Sequence, residues 1–248
     1  MKLSFRLLAV SGLVLAGSAG WGQSSRLVAY VANSGNDTVS VIDVATSTVL
    51  ATVGVGDNPS GVAPHPDGSR VYVTNRGSGT VSVLDTASNA VLATVGVGEG
   101  PIGIVVHPDG TRVYVANSRL FFSNTVSVID TASNTVTALV RVGDHPWGVA
   151  VHPAGTWVYV TYGALSSAVS VVDTTTQAVA AMVPVEFGTC EGVAVHPDGS
   201  RVYVANSRLF FSNAIAVIDV ASNAVAATVP VGDYPRGVAV HPASTWVY

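Results

Sequence analysis

One pattern limits what this chain can become. Tyr30, Tyr72, Tyr114, Tyr159, Tyr203 and Tyr248 follow one another at spacings of 42, 42, 45, 44 and 45 residues. Between them four phrases return in a fixed order. The first is "YVAN" at Tyr30, "VYVTN" at Val71, "VYVAN" at Val113 and Val202, and "VYVTY" at Val158. The second is "TVSVID" at Thr38 and Thr125, "TVSVLD" at Thr80, "AVSVVD" at Ala168 and "AIAVID" at Ala214. The third runs from "LATVGVG" at Leu50 and Leu92 to "AATVPVG" at Ala226, and the fourth from "GVAPHPDG" at Gly61 to "GVAVHPAS" at Gly237. Each phrase is a short β-branched and aromatic run closed by Gly, Pro, Asn, Asp or Ser, the pattern of a strand between tight turns.

Four antiparallel strands in 42 to 45 residues make one blade of a β-propeller. A single sheet of this size cannot bury both faces. Stacked around an axis, each blade covers the apolar face of the next. That arrangement accounts for a chain that is 48% hydrophobic and only 10% charged, with mean hydropathy +0.47. The expected fold is all-β, a propeller of four-stranded antiparallel blades with about five to six blades present.

The first residues read differently. "MKLSFRLLAVSGLVLAGSAGWG" carries Lys2 and Arg6, an apolar stretch from Leu7 to about Ala16, then small residues. This is the pattern of an export leader, too short for a membrane span. The expected division is a leader over 1–22 and a propeller over 27–248. Without Lys2 and Arg6, nine basic residues face fifteen acidic ones, a net charge of −6. All nine are Arg. This balance argues against nucleic acid and anionic membranes as partners. Cys190 stands alone, so it forms no internal disulfide, and it reads as a small, partly buried side chain.

"VYVTN" at Val71, followed by "TVSVLDTASNAVLATVGVGEGPIGIVVHPDG", resembles the YVTN-type β-propeller repeat. The resemblance covers about Leu27 to Tyr248. It implies a secreted or cell-surface protein, and a fold similar to that of lactonase-like and quinoprotein-like propellers, with no single chemistry attached. Two departures stand out. Tyr162 replaces the Asn of the first phrase, and "EFGTCEG" at Glu186 lacks the Pro found at Pro59, Pro101, Pro146 and Pro235.

A longer period is also present. "NSRLFFSN" occurs at Asn117 and again at Asn206, 89 residues apart, and "TWVY" recurs at Thr156 and Thr245 with the same offset. The unit that duplicated is a pair of blades. After Tyr159 the chain continues into the next strand, whereas after Tyr248 it stops. The favoured expectation is a fragment of a larger, six- to eight-bladed ring. The rival is a closed five-blade ring in which "GVAVHP" at Gly237 supplies the inner strand that the first repeat lacks.

Repetition separates positions that serve the fold from positions free to vary. In V-G-D-x-P-x-G the frame recurs and the x residues do not. Before the last Gly sit Ser60, Ile102, Trp147, Glu191 and Arg236; two residues earlier sit Asn58, Gly100, His145, Thr189 and Tyr234. With the fourth phrase innermost, these residues line the channel mouth. His145, Trp147, Glu191, Tyr234 and Arg236 offer aromatic and charged groups suited to a ligand or peptide. The competing reading is neutral variation of loops. Leu120, Phe121, Phe122 and Leu209, Phe210, Phe211 read either as exposed apolar knobs for a partner or as plugs folded over the blade edge.

His65, His107, His152, His196 and His241 repeat with the fold before Pro, so they read as turn residues rather than a metal ring. Asp43, Asp85, Asp130, Asp173 and Asp219 read as turn caps. "GVGEGP" at Gly96 lacks the third Gly and the helix of a dinucleotide loop. Neither a cofactor nor a catalytic set follows. The expected function is an exported binding or cell-surface interaction module, with a protein or small-molecule ligand at the propeller face. The alternative is a lactonase-like or quinoprotein-like enzyme working at the channel mouth through His145, Glu191 or Arg236.

Overall fold

The computed structural model describes residues 9–10, 13–18, 26–119, 124–163, 167–185, 188–207, 213–243 and 246–248. Each phrase up to Pro230 forms one strand, and the repeats form five antiparallel sheets among the described residues. The second sheet comprises Pro59–Pro64, Arg70–Asn75, Thr80–Asp85 and Val91–Gly96 in that spatial order. The third holds Pro101–Val106, Arg112–Asn117, Thr125–Asp130 and Thr135–Arg141. The fourth holds Pro146–Val151, Trp157–Gly163, Ser167–Asp173 and Ala178–Pro184, and the fifth Thr189–Val195, Arg201–Ser207, Ala214–Asp219 and Ala224–Pro230. The first contributes Arg26–Asn33, Thr38–Asp43 and Thr48–Gly54. No helix occurs among the described residues.

The apolar residues form four clusters, each between two consecutive sheets. Tyr30, Val39 and Val41 of the first sheet meet Val71, Val73 and Leu84 of the second. Tyr72, Val81 and Val83 of the second meet Val113, Val115 and Ile129 of the third. Tyr114 and Val128 then meet Val158 and Val160, and Tyr159 and Val171 meet Val202 and Val204. Adjacent residues such as Val71 and Tyr72 serve opposite clusters, because side chains alternate across a strand. The propeller architecture follows: thin sheets stacked face to face, the fourth phrase innermost.

Turns fix the register. The Gly of each "HPDG" or "HPAG" turn, at 68, 110, 155 and 199, has φ between +74° and +79°, a region open to Gly. The carboxylate of Asp85 caps the amide of Ser88 at 2.7 Å, and that of Asp130 caps the amide of Ser133 at 2.8 Å. The histidines do more than turn the chain. His65 Nε2 lies 2.9 Å from the Gly110 carbonyl one blade on, and His107 Nε2 lies 2.8 Å from that of Gly155. Arg70 and Arg112 likewise donate across blades, to the Thr131 and Thr174 carbonyls at 2.7 and 2.6 Å.

The last residues pair among themselves. Ala239 and Tyr248 exchange both backbone hydrogen bonds, and Val240 pairs with Val247. The segment after Gly237 thus pairs with the last residues of the chain through that bridge. Leu13–Ser18, within the expected leader, lies antiparallel on Arg26–Asn33, and Ala9–Val10 pairs with it at the end of the five-stranded first sheet.

Candidate functional site

Two sets of loops share one face of the stack. The loops between the second and third strands of a blade lie beside the connections that lead to the next blade. Gly77 donates its amide to the Asp57 carbonyl at 2.9 Å, Arg76 to that of Asn58 at 3.0 Å, and Ser118 to that of Gly100 at 2.9 Å. The His-Pro turns and the Asp-capped turns occupy the other face. The division expected from strand order is the one observed.

The innermost strands of the second to fifth sheets bend near their starts. Register shifts fall between Pro59 and Val62, Pro101 and Ile104, Pro146 and Val149, and Cys190 and Val193. The bulged residues are the varied position and the Gly after it. Those glycines cannot carry a side chain. A Cβ on Gly61, Gly103, Gly148 or Gly192 would collide with the carbonyl of Ile102, Trp147, Glu191 or Arg236, respectively. Each varied residue thus lends its carbonyl to the blade before it, and its side chain is left free to differ. A bulge re-aims a side chain, and bulges concentrate beside functional sites.

The residue two places earlier carries a backbone signal that composition hides. Asn58, His145 and Tyr234 have φ of 53°, 60° and 56°, and Gly100 has 62°. Gly and Asn suit this left-handed region; His tolerates it less well, and Tyr poorly. Strain of this kind gathers at functional sites.

The side chains themselves are brought together in part. The His145 and Trp147 rings lie 5.7 Å apart at 47°, within the range of an aromatic contact. Burial, and then the charge of Arg76, hold the His145 imidazole below its ordinary pKa. One blade on, Glu191 is 17% exposed and Arg236 79%, with Arg236 Nε 3.8 Å from Glu191 Oε2. Burial lifts the Glu191 carboxyl above its ordinary value, partly offset by Arg236. Tyr234 is exposed. Leu120, Phe121, Phe122, Leu209, Phe210 and Phe211 lie outside the described residues.

Sequence reasoning missed a cleft of about 600 Å³ beside this mouth, lined by Arg76, Glu99, Gly100, Ser118 and Arg119 among others. Arg119 Nη1 and Glu99 Oε1 pair at 2.8 Å across it, both exposed. The signal was available: the acid of V-G-D/E recurs, and Arg76 and Arg119 occupy matching loops.

The two departures of the fourth repeat have physical consequences. Asn75 donates to Thr80 Oγ1 and Ser82 Oγ, each at 2.9 Å, and Asn117 does the same with Thr125 and Ser127 at 3.0 and 2.9 Å. Tyr162 cannot, and Ser170 Oγ, the counterpart of Ser82 and Ser127, is buried without a partner. Cys190 takes the place of Pro, opposite Asn206 where Pro101 stands opposite Asn117. It is fully buried, and burial pushes its thiol up to about 12. Such a thiol is inert.

No family model matches the chain, and no curated protein matches it. Among solved structures, the hydrazine synthase of Kuenenia stuttgartiensis superposes with a TM-score of 0.83 at 26% identity, over 89% of this chain and 69% of that one. That likeness agrees with the propeller architecture built above from repeated four-stranded sheets.

Proposed function

We propose that this chain is an exported β-propeller of the YVTN-repeat kind, and that it works as a binding module through the mouth of its central axis. One observation carries the reading: a frame held constant by glycines packed against the next repeat's carbonyls presents side chains that differ from blade to blade. Ser60, Ile102, Trp147 and Glu191 occupy one bulge position on successive innermost strands, and Arg236 stands at the matching place in the next repeat, its carbonyl against Gly192. The left-handed backbone at His145 and Tyr234 supports it, because Gly or Asn would sit there at lower cost. The ligand is a protein segment or a small molecule, and the protein works outside the cytoplasm. The test is an array of peptides and glycans probed with the wild type and with a Trp147→Ala/Tyr234→Ala/Arg236→Ala variant of unchanged melting temperature. Ligands held by the wild type and lost by the variant support the reading. An array on which the two proteins behave alike overturns it.

A second reading rests on Glu191, a half-buried carboxylate of raised pKa in the repeat that breaks the pattern. Such groups serve as general acids and bases. A lactonase-like or quinoprotein-like activity abolished by Glu191→Gln would favour it.

A further inference from the structure

We propose that the cleft between the second and third sheets is a site for an organic carboxylate, held by the Arg76 guanidinium and the Ser118 hydroxyl. The site goes beyond the binding-module reading: it uses none of the varied bulge residues and stands whether or not they hold a ligand. Its volume of about 600 Å³ suits a small organic molecule. In a chain with fifteen acidic residues against eleven basic ones, the lining carries two arginines and one acid. Arg119 is committed to that acid, Nη1 to Glu99 Oε1 at 2.8 Å. Among the described residues no carboxylate or carbonyl pairs with the Arg76 guanidinium. Ser118, in the same lining, is 1% exposed, and its hydroxyl has no partner. A buried hydroxyl without a partner is rare in a folded protein. One cleft thus holds an uncompensated cation and an orphaned O–H. A carboxylate satisfies both, taking the guanidinium fork on its two oxygens and the hydroxyl on a remaining lone pair.

The backbone decides between carboxylate and phosphate. The amides of Arg76, Gly77, Gly79 and Ser118 already donate to the carbonyls of Asn58, Asp57, Asn75 and Gly100, at 2.9 to 3.0 Å. Phosphate sites are cradles of free amides, and these four are occupied. Side-chain donors alone suit the flatter, singly charged group. Glu99 shows the cleft taking a carboxylate on its other arginine. The charge of Arg76 also reaches past the cleft: after burial, it is what holds the His145 imidazole low. A carboxylate seated on Arg76 therefore lets His145 take up a proton more readily.

The probe is hexanoate, set against hexanamide, which has the same shape without the charge, and against inorganic phosphate. Binding to the full chain is followed by saturation-transfer NMR. Hexanoate is expected to bind saturably, with hexanamide about tenfold weaker or worse. Arg76→Gln is expected to weaken hexanoate about tenfold, and Ser118→Ala about threefold. Arg201→Gln makes the same change of charge at the turn-face end of its strand, Arg201–Ser207, and is expected to leave hexanoate binding as it is. The place is read from His145, whose imidazole C–H resonances are assigned by their absence in His145→Asn. Hexanoate is expected to raise the His145 titration midpoint in the wild type and not in Arg76→Gln. Hexanoate and hexanamide binding alike overturns the inference, and that comparison needs no variant. Phosphate binding more tightly than hexanoate overturns it in favour of a phosphate site. Equal losses in Arg76→Gln and Arg201→Gln overturn it too, because they mark general attraction by charge.

Discussion

The Thr161 hydroxyl donates to the Glu191 carbonyl one blade on at 3.0 Å while accepting the Gly148 amide at 2.8 Å. Thr74 repeats the arrangement two blades earlier, donating to the Ile102 carbonyl at 2.9 Å and accepting from Gly61 at 2.7 Å. One oxygen therefore ties the bulge of its own blade to the bulge of the next. Thr161→Val keeps the shape and removes the hydroxyl. It should cost about 1–2 kcal/mol, because a buried donor and acceptor lose their partner. Urea denaturation measures it, and an unchanged midpoint would contradict the assigned role.

The fourth repeat supplies an internal control. Ser127→Ala removes an acceptor from the Asn117 amide and should destabilise by about 1 kcal/mol. Ser170→Ala removes a hydroxyl that has no partner, so it should be neutral or stabilising. Equal losses for the two variants would contradict the account of Tyr162.

Backbone strain at the mouth should be measurable. Tyr234→Gly relieves a left-handed conformation at φ 56°. It should leave stability unchanged or raise it by about 1 kcal/mol, strain relief being offset by the entropy of Gly in the unfolded chain. Ligand binding should fall in the same variant. A large loss of stability would show that Tyr234 serves the fold instead.

Acid should loosen the turn face. The Ser200 hydroxyl and amide, then His196, hold the Asp198 carboxyl down at about 2, from an ordinary value of 3.8. Asp67 and Asp109 are lowered by the corresponding Ser69 and Thr111 bonds and by His65 and His107, against an opposing effect of burial. A carboxyl lowered on folding stabilises above its unfolded value, and that contribution fades as pH falls through its folded value. Stability should therefore drop between about pH 4 and pH 2, less steeply in Asp198→Asn. Parallel urea midpoints at pH 5 and 2.5 for the two proteins would contradict this.

The fold was legible because it is repeated. Val71 and Tyr72 alone could belong to any strand; six tyrosines at one period could not. The turn roles of Gly68 and Asp85 followed from local chemistry, and both are seen. The interblade bonds of His65 and Arg70 were not legible, since they join residues 45 and 61 apart in the chain. The varied residues at the bulge were found by comparing repeats. The register shift that places them, and the left-handed backbone at His145 and Tyr234, belong to the folded chain and leave no mark on composition. Pro59, Pro101 and Pro146 pair with Asn75, Asn117 and Tyr162, and only that register reveals that Cys190 fills the same slot.

Hydrogen exchange with and without a ligand identified on the array tests the central claim most directly. The account predicts protection confined to the peptides around His145–Gly148, Thr189–Gly192 and Tyr234–Gly237. Protection centred on the His-Pro turns at 64–69, 107–110 and 196–199, with the mouth unchanged, would contradict it.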